Sequence, residues 1–496
     1  MKPLGTITMY FPHVDENTRK AIEQIMSEAG NYADFAERLC DRVISEPSSP
    51  LLEYLAFLFA YRIENFNLTD KLEIAGKVTD LSRPLLLMVE LERGARISWS
   101  EMKTSIKSAL EVAPNDWVAS HLYLQWRIST ENYFPEADVE VEPLDMISTA
   151  VNENSEMRYF ELWLLRIAAV KFEKEAQMNQ RISHLRQALA IARKFDDRVA
   201  AVSILVQLAG NTKHTDLKKA IDMLVTGKEL GEELGYTSVI GLIQHQMAHI
   251  MGMRGEYDAA IKYQYEYKAI IESLGNTTFI LSAVIAMHYN LSGNGEKALK
   301  LSKEAFIPER TQHRYLPYAR AQQAWALINL GRYAEAKEVI DICHELALKS
   351  GRSGQMTWYY MVEGLLDKAE KRFDNAIMNF QEALDKDVED PVPLTKNICL
   401  LNLTEMEIDM LTDTALQEGH DLSGQWMKKF EEHVQEHDLP GIAAQSMILR
   451  AKLRYRQGKY DDVRRILKDV QEIAKTPSMR YLNDMIISKF PDVIVT

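Results

Sequence analysis

Apolar residues recur along most of the chain at three- and four-residue intervals. That spacing lays one stripe along a helix. Ala336, Val339, Ile340, Cys343 and Leu346 form one such stripe. Only Thr6–Pro12 reads as extended. The helical stretches are punctuated at regular intervals. Gly255-Glu256-Tyr257-Asp258-Ala259-Ala260, Gly331-Arg332-Tyr333-Ala334-Glu335-Ala336 and Gly458-Lys459-Tyr460-Asp461-Asp462-Val463 share a glycine, an aromatic two residues on and a small residue five on. Lys371-Arg372-Phe373-Asp374-Asn375-Ala376 puts Lys in the glycine position, and Gly293-Asn294-Gly295-Glu296-Lys297-Ala298 lacks the aromatic. The steps from 255 to 293, 331 and 371 are 38, 38 and 40, and the 87 residues to 458 leave room for one degenerate unit.

A second series runs out of phase. Leu234-Gly235, Leu274-Gly275 and Ser350-Gly351, spaced by 40 and 76, end long amphipathic stretches. A glycine just past a helix end supplies the left-handed conformation of a C-cap. The first series therefore predicts the turn inside a helix pair, and the second the turn between pairs. Such a pair cannot bury its apolar face alone and must stack on neighbours. Ala260, Ala298, Ala336 and Ala376 permit close helix crossing, and Tyr257, Tyr333, Phe373 and Tyr460 are expected to fill the wedge beside it. Seven positions before each turn, Ala248, Ala286, Ala324, Gly364 and Ala451 are expected to face the partner helix at close range.

These motifs resemble the tetratricopeptide repeat. Upstream, Trp99, Met102, Ile106, Ala109-Leu110 and Pro114 match the second helix and terminal proline of its 34-residue form. The longer downstream step is similar to the sensor solenoid of the bacterial maltose regulator and of peptide-sensing regulators. Recognisable units cover roughly 85–130 and 160–475. The resemblance implies an all-α, right-handed superhelix of antiparallel helix pairs. Four segments are expected: an N-terminal helical block over 1–130 containing one repeat-like unit, an acidic proline-containing loop over 131–145, the superhelix over 146–477, and a capping helix within 478–496. The block opens with two short helices broken at Gly30, about Asp15–Ala29 and Asn31–Ile44.

Composition narrows the function classes. Hydrophobic residues at 46% and charged residues at 26% fit a globular chain. The net charge of −14 repels phosphate backbones, so nucleic acid is not the expected partner. The stretch from Gly441 to Thr496 is basic, with 11 Lys/Arg against 6 Asp/Glu. Arg450, Lys452, Arg454, Arg456, Arg464 and Arg465 cluster there, either for RNA or as a solvated or internally paired face. Cys40, Cys343 and Cys399 form no CxxC pair, which fits a reducing, cytoplasmic setting. Apolar stretches such as Phe279–Met287 are too short to span a bilayer, and the first residues carry no signal-type apolar segment.

No phosphate-cradling loop, nucleophile elbow, zincin or kinase signature occurs, so neither an enzyme nor a cofactor is expected. His245 and His249, four apart on one helix, read as a metal pair with His288 as third ligand, as partner contacts, or as solvated histidines; no metal is assigned. The resemblance places them at positions that line the concave groove. The same register assigns Tyr318, Gln322, Trp325, Asn329, Trp358, Met361, Lys452 and Arg456 to that groove. Trp325 and Trp358 are either exposed binding anchors or pack against one another between repeats. Tyr263 and Tyr267 are expected to pack on a second helix. The expected function is a protein-interaction scaffold that binds a peptide or partner helix in the groove. Alternatives are a peptide- or small-ligand-sensing module whose pitch changes on binding, and an RNA-binding repeat. A homo-oligomer is compatible with all three.

Overall fold

The glycine punctuation fixes the connections. In the computed structural model, Gly235, Gly255, Gly275, Gly293, Gly331 and Gly458 all have positive φ, between 65° and 80°. Lys371, standing in the glycine position, adopts the same conformation at φ 63°. Each is a left-handed residue that stops one helix and reverses the chain into the next. The described residues are 14–93, 97–133, 148, 151, 159–174, 178–213, 215–275, 279–305, 316–350, 353–389, 394–417, 424–436 and 439–490. Thr6–Pro12, Gly351 and most of the acidic segment 131–145 lie outside them.

Among the described residues there are 25 α-helices and no strand. They are α1 (Glu16–Glu28), α2 (Tyr32–Ser45), α3 (Pro50–Arg62), α4 (Phe66–Ile74), α5 (Arg83–Glu92), α6 (Trp99–Glu111), α7 (Asp116–Tyr133), α8 (Glu161–Lys174), α9 (Met178–Lys194), α10 (Arg198–Thr212), α11 (Leu217–Leu234), α12 (Thr237–Met253) and α13 (Tyr257–Ser273). Then come α14 (Phe279–Leu291), α15 (Gly295–Glu304), α16 (Leu316–Asn329), α17 (Tyr333–Ser350), α18 (Ser353–Ala369), α19 (Phe373–Glu389), α20 (Thr395–Met410), α21 (Asp413–Gln417), α22 (Gln425–Glu436), α23 (Pro440–Arg456), α24 (Tyr460–Ala474) and α25 (Tyr481–Lys489). The architecture is all-α, and consecutive helices pack as pairs: α8–α9 and α10–α11 in the first half of the chain, and α14–α15, α16–α17, α18–α19 and α23–α24 in the second. The degenerate unit is α20–α22, with short α21 between its long helices.

The chain divides into two compact units. The first contains residues 1–246 and 266–278; the second contains 247–265 and 279–496. The division runs through the pair α12–α13, whose turn end belongs to the second unit.

In the first unit, α1 and α2 begin on the side-chain caps of Asp15 and Asn31, as the break at Gly30 predicts. Tyr32, Phe35 and Phe59 pack edge-on in a buried core between α2 and α3. Met102, Ile106 and Ala109 give α6 its buried face. The N-terminal helices are tied to repeat turns of the same unit. Arg62 pairs with Asp197 at 2.9 Å, the Phe66 amide donates to the Leu274 carbonyl, and Asn67 Nδ2 donates to the Ser273 carbonyl.

In the second unit, successive first helices α14, α16, α18, α20 and α23 pack side by side, each against its own second helix. The small residues do what the sequence predicts. Ala248, Ala286, Ala324 and Ala451 are buried, as are Ala260, Ala298, Ala336 and Ala376. A Cβ on Gly364 would meet the Phe380 ring at 3.0 Å, so any other residue there would require the ring to give by a few tenths of an ångström.

The wedge aromatics depart from expectation. Tyr257 is buried, but Tyr333 and Tyr460 are exposed. A residue at the start of a second helix projects from the turn end and is covered only where another segment arrives. At Tyr257 that segment exists: Gln445 and Tyr481 close over it. The last helix is embedded in the second unit. Tyr481, Leu482, Ile486 and Phe490 are buried in one cluster with Ile448, Val463 and Leu467. No helix among the described residues is long and apolar enough to cross a membrane.

Candidate partner-binding site

The groove positions assigned from the repeat register separate into a buried group and an ionic group. Tyr318, Gln322, Trp325, Trp358 and Met361 are all buried. The Tyr318 ring stands edge-on to Trp358 at 4.9 Å, and its hydroxyl donates to the Ala283 carbonyl. Asn290 Nδ2 donates to the Gln322 carbonyl at 3.0 Å, and Asn329 Nδ2 donates to the Asn290 carbonyl at 3.2 Å. Asn329 is the exposed member of this set. The exposure expected of Trp325 and Trp358 is therefore not found. The physical reason is close packing of consecutive first helices, which uses these positions for the α14–α16–α18 seam. Trp358 packs on Tyr318 there.

His245 and His249 are half-buried on α12. The His245 ring lies 5.0 Å from that of Tyr267. His288 is fully buried, its ring against Gly252. Among the described residues no group of three His, Cys, Asp or Glu side chains could hold a metal ion.

Lys452 and Arg456 belong to the ionic group, which sequence reading saw only in part. Lys452 on α23 donates to Glu405 Oε1 at 3.0 Å and to Asp409 Oδ2 at 2.8 Å, both on α20. Lys368, in the last turn of α18, donates to Glu405 Oε2 at 2.6 Å and to Asn402 Oδ1 at 2.7 Å. Lys489, at the end of α25, also donates to Glu405 Oε1. Arg456 donates to the Ile408 and Leu411 carbonyls, capping the C-terminus of α20. One carboxylate thus collects three ammonium groups from three helices.

The electrostatics of this centre are lopsided. Burial pushes the Glu405 carboxyl up, but the charges of Lys368, Lys489 and Lys452 outweigh it and hold the group well below the usual carboxylate range. Burial pulls Lys368 down, and the nearby Lys489 and Lys452 charges add to that, against the attraction of Glu405. The lysine side chains stay between 19% and 26% exposed, so the centre is reachable from solvent.

The other arginines of the basic cluster each have a partner. Arg450 pairs with Glu431, Arg464 with Asp461 and Arg465 with Asp462, while Arg454 donates to Gln457. Lys452 and Arg456 carried a sequence signal through the repeat register. Lys368, Glu405 and Lys489 did not, because the helices that supply them meet only in the fold.

No family model matches the chain, and no curated protein matches it. Among solved structures, it is similar to a Rap protein complexed with competence and sporulation factor, at 10% identity and a TM-score of 0.44, over 71% of this chain and 99% of that one. It is also similar to yeast Tom70, at 12% identity and a TM-score of 0.32, over 95% of each chain.

Proposed function

We propose that the chain is a non-enzymatic interaction scaffold whose second unit receives a protein or peptide partner on the polar face shared by α18, α20 and α23. The observation that carries this reading is the solvent-reachable centre on Glu405, with Lys368, Lys452 and Lys489 around it. Crowding three like charges round one partly buried carboxylate costs stability, and such a local cost is expected where the residues serve a function. The buried aromatics of the α14–α16–α18 seam hold this face in place instead of contacting the partner. RNA is the weaker reading, since Arg450, Arg464 and Arg465 are already paired with carboxylates. The test is affinity purification from the native host with the wild-type chain and with Lys452→Glu. A protein recovered with the first and lost with the second, at unchanged helicity, supports the reading. Identical recovery contradicts it.

A further inference from the structure

We infer that the Glu405 centre is a subsite for a side-chain carboxylate of an acidic peptide segment. This rests on the partner-binding reading above and names the chemistry of the ligand. The inference follows from charge and from donor count. Lys368, Lys452 and Lys489 face Glu405 and Asp409, which leaves one positive charge in excess before Arg456 is added. An ammonium has three N–H donors. Lys368 uses two, on Glu405 and Asn402, and Lys452 uses two, on Glu405 and Asp409. Lys489 uses one, on Glu405. Asp409 Oδ1 also lies 2.7 Å from the Lys452 ammonium and takes up its third donor, so one donor remains on Lys368 and two remain on Lys489. A carboxylate offers about four lone-pair positions, enough to accept all of them.

The site is discriminating because of its surroundings. The whole chain carries −14, so its average field disfavours an acidic segment. At this point an incoming carboxylate relieves the mutual repulsion of three lysines that face two carboxylates, Glu405 and Asp409. Glu405 is therefore both the internal placeholder and the competitor of the ligand. A purely structural ion cluster has no such property, and this gives the test its sign.

The probe is a short fluorescein-labelled peptide of alternating Glu and Ser, with a Gln/Ser peptide as control, read by anisotropy against the full chain. Wild type is expected to bind the acidic probe and not the control, more weakly as salt rises. Lys489→Gln removes a charge-assisted bond and Lys452→Gln a positive charge, and each is expected to weaken binding about tenfold. Glu405→Gln, assayed at low temperature after a check of helicity, is expected to tighten it severalfold. Loss of fold cannot mimic a loss in one variant and a gain in another. Equal affinity of all four proteins overturns the inference, as does binding of a single-stranded RNA probe in place of the acidic peptide. If the acidic probe does not bind while Lys452→Glu still loses the co-purified partner, this inference fails and the scaffold reading stands.

Discussion

The guanidinium of Arg62 and the carboxylate of Asp197 meet at 2.9 Å although they lie 135 positions apart, and both side chains are buried. Asp197 is also the N-cap of α10, accepting from the Ala200 amide, and it accepts from the Tyr159 hydroxyl. A buried charge left without its partner is costly. Arg62→Met is therefore expected to destabilise the chain by about 3–5 kcal/mol. Tyr159→Phe removes one hydrogen bond and is expected to cost about 1–3 kcal/mol. Urea unfolding followed by circular dichroism checks both. A change in Arg62→Met no larger than in Tyr159→Phe would show that the ion pair is not holding the N-terminal helices.

The turn residues separate backbone strain from crowding. Gly331 has φ 71° with open space at its Cβ position, so Gly331→Ala costs only the left-handed conformation, about 1 kcal/mol. Gly255 has φ 78°, and its Cβ would lie 2.8 Å from the Gly441 backbone. Gly255→Ala is expected to cost clearly more than Gly331→Ala. Lys371→Gly relieves a strained φ of 63° and is expected to stabilise by about 0.5–1 kcal/mol. Thermal unfolding of the three variants gives the order directly.

Two buried groups give stability a pH signature. Burial, aided by the charge of Arg62, holds His121 down at about 3 from 6.5. The unfolded chain binds this proton below 6.5 and the folded chain does not until about 3. Stability is therefore lost as pH falls through that window. His121→Phe is expected to flatten the fall. Lys213, hydrogen-bonded to Gln246 Oε1, is pulled down to about 8 from 10.5 by burial, with the Arg181 charge adding to it. Between 8 and 10.5 the unfolded chain holds the proton and the folded chain does not, so this group makes stability rise with pH. Lys213→Met is expected to remove that rise. Unfolding free energies measured across both windows check the signs.

The Glu405 centre is also a stability element. Glu405→Ala leaves three lysines without their shared counter-ion and is expected to cost about 3–5 kcal/mol. Adding Lys368→Met to that variant removes the most deeply placed of those charges and is expected to recover part of the loss. Equal stability of the single and double variants would show that crowding of charge is not the cause.

The repeat frame was legible because it rests on local rules. Glycines at turns, alanines at crossings and a lysine standing in for glycine all act within a few residues. The first two helices were legible for the same reason, through Asp15, Gly30 and Asn31. Exposure was not legible. Trp325 and Trp358 hold register positions that line a groove in the family the chain resembles, yet here neighbouring first helices close over them. Tyr333 and Tyr460 share a motif with Tyr257 but stay exposed. The ionic centre was hidden for another reason. Glu405 lies in the degenerate unit that carries no turn motif, and Lys489 lies beyond the last repeat. Nothing in the spacing joins them to Lys368.

The most direct measurement places a photo-crosslinking amino acid at Met410, exposed on α20 beside Asp409, and in a second protein at Leu348, exposed on second helix α17. Irradiation in the native host is expected to give a partner adduct from position 410 and none from 348. An adduct from 348 with none from 410 would contradict the assignment of the binding face to α18, α20 and α23.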